Sequence, residues 1–185
     1  SGGGKTHHFS VEGSLTLEDL ILENGKSDPA GAIFIDNPTS TAGIGAVVLT
    51  RTTIRGCEST VYAGAVTMNG GTVSMNGATL ESNKGEFGGA IVVTSGGLVN
   101  VISTGTGSAT RIQNNEATGN GGGMYLQTEG TVLAVMGTGT RLLLENNTAS
   151  RSGGGLYVLG AHVLVQSGAT IEAKNNKATK NGGGM

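Results

Sequence analysis

A triplet of small residues recurs seven times along the 185-residue chain, followed by an apolar residue in all but the first copy. It reads Gly2-Gly3-Gly4, Ala30-Gly31-Ala32, Ala63-Gly64-Ala65, Gly88-Gly89-Ala90, Gly121-Gly122-Gly123, Gly153-Gly154-Gly155 and Gly182-Gly183-Gly184, at intervals of 28, 33, 25, 33, 32 and 29 residues. A period of this size marks a solenoid, in which each repeat buries its apolar side only against its neighbours. The chain then divides into coils 2–29, 30–62, 63–87, 88–120, 121–152 and 153–181 of a single domain, with 182–185 opening another coil.

Three short alternating runs lie in each unit. In the fifth they are Met124 to Gln127, Thr131 to Met136 and Arg141 to Leu144; in the sixth, Leu156 to Leu159, His162 to Gln166 and Thr170 to Ala173. Period-2 alternation rich in β-branched residues, bounded by Gly, Ser, Thr and Asn, reads as strands joined by turns. Aligning the first runs gives apolar pairs at i and i+2: Ile33 and Ile35, Val66 and Met68, Ile91 and Val93, Met124 and Leu126, Leu156 and Val158. The residue between drifts through Phe34, Thr67, Val92, Tyr125 and Tyr157. One face held apolar while the other varies predicts parallel, in-register stacking of each strand on its copy one coil away. The expectation is an all-β, right-handed, single-stranded parallel β-helix of about six coils with three strands per coil, an uncapped piece of a longer rod.

The third runs align as Ile21, Ile54, Leu80, Ile112, Leu144 and Ala173, followed three residues later by Asn24, Cys57, Asn83, Asn115, Asn147 and Asn176. An Asn column at a turn can hydrogen-bond from coil to coil through its amides. In three units the Asn is doubled and followed by x-Ala-Thr or x-Ala-Ser, and the small Ala is expected to point inward. The triplet centres Gly31, Gly64, Gly89, Gly122 and Gly154 are expected where the chain turns and coils approach closely.

Composition fits narrow aliphatic layers. Glycine accounts for 35 residues without a Gly-X-Y period, aromatics for 3%, and Trp is absent. Net charge is −2 with no basic face, which argues against a nucleic-acid partner. Lys174, Lys177 and Lys180 read as a solvated turn. No apolar run is long enough to insert this segment in a membrane. Cys57, the single cysteine, reads as a buried thiol, free or paired with another chain.

Gly88-Gly89-Ala90-Ile91, together with the apolar-x-x-Asn turns Leu80 to Asn83, Ile112 to Asn115 and Leu144 to Asn147, resembles the repeats of chlamydial polymorphic outer membrane proteins. Those proteins are autotransporter-type passengers. The resemblance implies a β-helical, surface-exposed passenger associated with adhesion, located outside the cell, with a host-cell or glycan ligand.

Chemistry on the rod is sparse. Polysaccharide lyases and hydrolases with this fold would need clustered carboxylates on adjacent coils. The chain has three Asp, and its Glu residues seldom recur in register; Glu81 and Glu145 are separated by Gln113. His7, His8 and His162 have no metal-site spacing, so neither catalytic residues, metal nor cofactor are expected. The outward residues of the first strand form no Thr row, which disfavours an ice-binding face. Tyr125 and Tyr157 are expected as an exposed contact patch or as packing beneath a turn. Asn146-Asn147-Thr148 forms a glycosylation sequon on Asn146. The reading is a structural or adhesive segment of a large surface protein, associating with itself, with neighbouring segments of the same protein, or with a host or glycan ligand. An enzyme or an ice- or glycan-binding solenoid is the alternative.

Overall fold

The structure is a computed structural model that describes residues 6–37, 45–103, 108–166 and 168–184. In the first coil, β1 (Phe9–Val11), β2 (Ser14–Glu18) and β3 (Ile21–Glu23) follow one another. The second repeats them as β4 (Ile33–Asp36), β5 (Ala46–Thr50) and β6 (Thr53–Arg55). The third has β7 (Val66–Asn69), β8 (Thr72–Asn76), β9 (Thr79–Glu81) and a two-residue β10 (Lys84–Gly85). The fourth has β11 (Ile91–Val93), β12 (Leu98–Ile102), β13 (Thr110–Gln113) and β14 (Glu116–Ala117). The fifth has β15 (Met124–Gln127), β16 (Val132–Met136), β17 (Arg141–Glu145) and β18 (Thr148–Ala149). The sixth has β19 (Leu156–Leu159), β20 (His162–Val165), β21 (Thr170–Lys174) and β22 (Lys177–Ala178). No helix occurs among the described residues.

Every strand pairs in parallel with its counterpart one coil away, giving three sheets of six strands and one of four. The first sheet runs β1-β4-β7-β11-β15-β19, the second β2-β5-β8-β12-β16-β20 and the third β3-β6-β9-β13-β17-β21. The chain is a parallel β-solenoid. The fourth sheet, β10-β14-β18-β22, adds a strand to the three expected. Its strands have two residues each, too short for alternation to show in the sequence. In it Ala117 and Ala149 are wholly buried, at the corner where no larger side chain fits.

The core is a stack of inward aliphatic pairs. Ile33, Ile35, Val66, Met68, Ile91, Val93, Met124 and Leu126 from the first sheet have no exposed surface. Val47 and Leu49, Val73 and Met75, Val99 and Val101, and Leu133 and Val135 meet them from the second sheet. Leu22, Ile54, Leu80, Ile112 and Leu144 close the third side. Each side chain lies against its counterpart about 4.8 Å away, so the layers interdigitate without aromatic fillers. Val158 occupies an inward position in the sixth coil but is 39% exposed, since no described coil lies above it.

The triplet glycines divide two roles. At the first position Gly88, Gly121, Gly153 and Gly182 have φ between 57° and 71°. At the centre the conformation is ordinary, but coils approach so closely that a Cβ on Gly31, Gly89, Gly122 or Gly154 would strike the carbonyl of the next glycine in the column. At Gly122 it would also lie 2.6 Å from the Thr148 carbonyl group. Backbone cannot yield as a flexible side chain can. Gly122→Val is therefore expected to cost more than about 3 kcal/mol, whereas Gly13→Ala, where a Cβ meets nothing within 4 Å, stays within about 0.5 kcal/mol. Thermal melts of both variants check this; equal losses would remove the close-approach argument.

Candidate functional site

The turn from the third to the fourth sheet contains a continuous amide ladder. The backbone N–H of Asn83 donates to Asn115 Oδ1 at 3.0 Å and its Nδ2 donates to the same oxygen at 3.1 Å. Asn115 repeats both bonds to Asn147 Oδ1 at 3.0 and 2.9 Å, and Asn147 to Asn176 Oδ1 at 2.9 Å each. The second Nδ2 proton donates backwards, to Ile54 O from Asn83, Leu80 O from Asn115, Ile112 O from Asn147 and Leu144 O from Asn176. Each inner rung thus uses both amide protons and both lone pairs of its oxygen. Buried at 1% exposure or less, Asn83, Asn115 and Asn147 are satisfied only because the same residue recurs one coil on.

Asn24 is not a rung. The pairing of β3 with β6 puts Ile21 opposite Thr53 and Leu22 opposite Ile54. Ile21 points outward at 55% exposure while Leu22 is buried, so Gly25, not Asn24, stands in the ladder column. The apolar run Leu20-Ile21-Leu22 hides the alternation and permits the one-residue shift. Asn24 instead heads a second column, Asn24, Gly56, Ser82, Asn114, Asn146 and Asn175, whose φ angles lie between 55° and 60°. A left-handed residue is what turns the chain here, and Asn and Gly take that conformation at least cost. Cys57 fills the ladder position of the second coil: its N–H donates to Asn83 Oδ1 at 3.0 Å, and its sulfur accepts from Gly25 N at 3.4 Å. Burial raises the Cys57 thiol pKa above its ordinary value, against weaker lowering by hydrogen bonds from the Gly25 and Asn24 backbone.

Outside the core, stacked positions on the third and fourth sheets form two charged columns. On the third sheet, strand register aligns Glu23, Arg55, Glu81, Gln113, Glu145 and Lys174. Arg55 bonds Glu23 at 2.8 Å and Gln113 donates to Glu81 at 2.9 Å. On the fourth side, Lys26, Glu58, Lys84, Glu116, Thr148 and Lys177 align. Lys26 meets Glu58 at 2.5 Å and Lys84 meets Glu116 at 2.8 Å. Like charges stacked directly at strand spacing repel, and alternation avoids this. Only the stretch Glu81, Gln113, Glu145 is legible in the sequence, beside the recurring Asn turns; repeat lengths from 25 to 33 residues obscure the register of the rest.

Hydrogen bonds also saturate other carboxylates. Asp28 accepts from Ser59 Oγ at 2.8 Å and from Thr60 N and Oγ1 at 2.7 Å each. Partial burial opposes its ionisation, but these bonds outweigh burial and hold the carboxyl below its usual value. Arg51 holds Asp19 low by a 2.6 Å hydrogen bond, and Lys174 with Arg141 holds Glu172 low. Open polar clefts follow the fourth side, one lined by Lys26, Asp28, Glu58, Ser59 and Thr60, another by Asn146, Thr148, Asn175, Asn176 and Lys177. Asn146 is exposed beside Thr148. Among the described residues no group of three or more His, Cys, Asp or Glu is placed to hold a metal ion.

Tyr125 and Tyr157 stack with ring centroids 5.3 Å apart and planes 7° from parallel, and Phe87 tilts against Tyr125 at 5.3 Å. Tyr125 is only 8% exposed, so it is no surface contact. With Ala63 and Val92 it forms a second apolar cluster on the outer side of the first sheet, against which Tyr62, Phe87 and Tyr157 pack. The drifting residue of the first strand therefore faces a satellite core rather than water from the fourth coil onward. Burial, with the neighbouring Tyr157, raises the Tyr125 pKa.

Residues 141–159 match the Chlamydia polymorphic membrane protein (Chlamydia_PMP) repeat. That stretch contains β17, the Asn147 rung, β18, the Gly153-Gly154-Gly155 triplet and β19. Neither a curated protein nor a solved structure matches the chain.

Removing a rung leaves the Asn83 N–H and one Asn83 Nδ2 proton without an acceptor and takes one donor from the Leu80 carbonyl. At about 1–3 kcal/mol per buried orphan, Asn115→Ala is expected to destabilise by at least about 2 kcal/mol, while Asn114→Gly next to it stays within about 1 kcal/mol. Chemical denaturation distinguishes them; equal effects would deny the ladder its role. Asp19, Asp28 and Glu172 all have lowered folded-state values, so their contribution is present above the unfolded carboxylate pKa of about 4 and is lost as pH falls through the folded values. The melting temperature is expected to drop on acidification below about pH 4. A rise there would contradict the assigned pairs.

Proposed function

We propose that this chain is a stretch of structural rod from a large extracellular surface protein, either an adhesin passenger or a building unit of a surface filament, without catalysis of its own. The observation that carries this reading is the use made of recurring residues. Asn83, Asn115, Asn147 and Asn176 satisfy one another, and the central glycines permit coil contact. The ionised side chains Glu23, Arg55, Lys84 and Glu116 pair along the rod. What repeats builds coils, and what varies lies on the outer side of the strands. The matched repeat at residues 141–159 supports a surface location, since it takes its name from a membrane-protein family.

Partners in this reading are other coils, whether neighbouring segments of the same protein or further copies, and a host-cell or glycan ligand on one side of the rod. A flat coil presents unpaired strand edges to whatever follows it, so coil-on-coil extension is the association open to any solenoid. A polysaccharide-acting enzyme is the second reading. Against it, Glu81 is bonded to Gln113 and Glu172 to Lys174 and Arg141, rather than facing another carboxylate across a groove.

Antibodies raised against the 185-residue chain are expected to label intact, unpermeabilised source cells. Labelling only after permeabilisation would sink the surface reading. A glycan array and a cell-binding assay with the immobilised chain separate the two roles: an adhesin binds, and a filament unit binds chiefly itself. Release of reducing ends from neutral or acidic polysaccharides would overturn the non-catalytic reading.

A further inference from the structure

We propose that the outer corner of the fifth and sixth coils, where Arg151, Lys177 and Lys180 stand together, is a binding surface for an acidic polysaccharide. This gives the glycan ligand of the surface reading a chemical class and a place. It rests on that reading only in taking the rod to meet glycans outside the cell.

Cations elsewhere on the rod are neutralised. Lys26, Arg51, Arg55, Lys84, Arg141 and Lys174 each meet a carboxylate. The Arg111 guanidinium donates to the Ala109 carbonyl. Outward positions of the second sheet carry one carboxylate, Glu18, already held by Arg51, and one imidazole, His162. Arg151, Lys177 and Lys180 are exposed, and none forms an ion pair among the described residues. The chain as a whole has a net charge of −2, so this positive corner runs against its average.

Coil register builds the corner. Lys177 follows Thr148 in its column, and Lys180 follows Arg151 in the next. The Lys180 N–H donates to Arg151 O, as the Arg151 N–H does to Gly119 O. Arg151 therefore has a described neighbour on each side, Gly119 and Lys180, and neither is an acid. Its lack of a carboxylate belongs to the stack and not to the last coil. Glu116, in the adjoining column, is held by Lys84. Two basic residues one strand spacing apart, about 4.8 Å, repel each other. The strands avoid such a pair, whereas this turn keeps one, and a bound anion relieves it.

The surroundings select the kind of anion. Asn146, Thr148, Ser150 and Asn175 are exposed beside the cations and present amides and hydroxyls. The cleft lined by Asn146, Thr148 and Lys177 contains no carboxylate. Two others on the same side contain Asp28 with Glu58 and Glu58 with Glu86. Cations match sulfate or carboxylate groups, and uncharged donors and acceptors match sugar hydroxyls. A single-stranded nucleic acid calls for aromatic platforms, but Tyr125 is buried and Tyr157 is stacked on it. An anionic membrane calls for a larger cluster of cations than these three. Exposed charges are screened over about 8 Å at physiological salt, so binding is weak and salt-sensitive.

Heparin, which carries both sulfate and carboxylate groups, is the probe, and dextran is the uncharged control. Surface plasmon resonance with the full chain is expected to show binding to heparin alone, weakening about tenfold from low to physiological salt. Combining Arg151→Gln, Lys177→Gln and Lys180→Gln is expected to reduce it about tenfold or more. Combining Lys26→Gln, Arg55→Gln and Lys84→Gln removes the same charge from paired positions and leaves it within about twofold. A second measurement needs no variant: on the native chain, heparin is expected to shield Lys177 and Lys180 from acetylation and to leave Lys26 and Lys84 as reactive as before. No binding to heparin, equal losses in the two triple variants, or equal shielding of Lys84 and Lys180 overturns the proposal. Tighter binding to phosphatidylserine vesicles than to heparin overturns it too, in favour of a membrane contact. Each of these outcomes leaves the labelling of intact cells to decide the surface reading separately.

Discussion

Parallel strands hydrogen-bonded about 4.8 Å apart impose one condition on everything else in this rod: each residue lies against its own counterpart in the next coil. The backbone bonds that create the condition run through turns as well as strands, as from Gly89 N to Gly121 O and from Gly122 N to Gly153 O. A side chain survives in such a column only if it can stack on a near copy of itself. Aliphatic side chains do so by dispersion, and Asn does so because one amide is both donor and acceptor. Charged residues cannot, and on the strands they appear only where the sign alternates or an uncharged residue intervenes. Glycine is compulsory where even a Cβ would meet the neighbouring carbonyl.

From that condition follows the division of labour between inside and outside. The inner columns are fully committed: Asn115 spends every hydrogen-bonding group on its neighbours. Outer columns differ from face to face, ionic on the third and fourth sheets, aromatic on the first and uncharged on the second. A rod of this kind displays long strips of uniform chemistry rather than a concave pocket. Carboxylates on the outside are likewise engaged, as Asp28 is by Ser59 and Thr60.

Much of the fold was legible in the sequence because inward and turn positions tolerate so few residue types. The pairs from Ile33 and Ile35 to Met124 and Leu126, and the doubled Asn turns, could be aligned by eye. Legibility failed where several registers fit. Leu20-Ile21-Leu22 supports alternation in either phase, which displaced Asn24 into the ladder column. The two-residue strands of the fourth sheet are below the length at which periodicity exists. For Tyr125, alternating with inward residues, an exposed patch and packing beneath a turn were both open, since nothing local reveals that Phe87 packs against it.

By itself, then, the chain's sequence determined the period, the parallel stacking and the inner columns, because those depend on local alternation and on the few residues that can stack on themselves. The tertiary structure alone decided the exact neighbours of most outward residues across coils. Turn lengths differ from coil to coil, so the partner of a given outward residue depends on how each turn closes. The alternating charge columns, the aromatic satellite core and the uncharged second face all depend on those neighbours, and so they exist only once the coils are stacked.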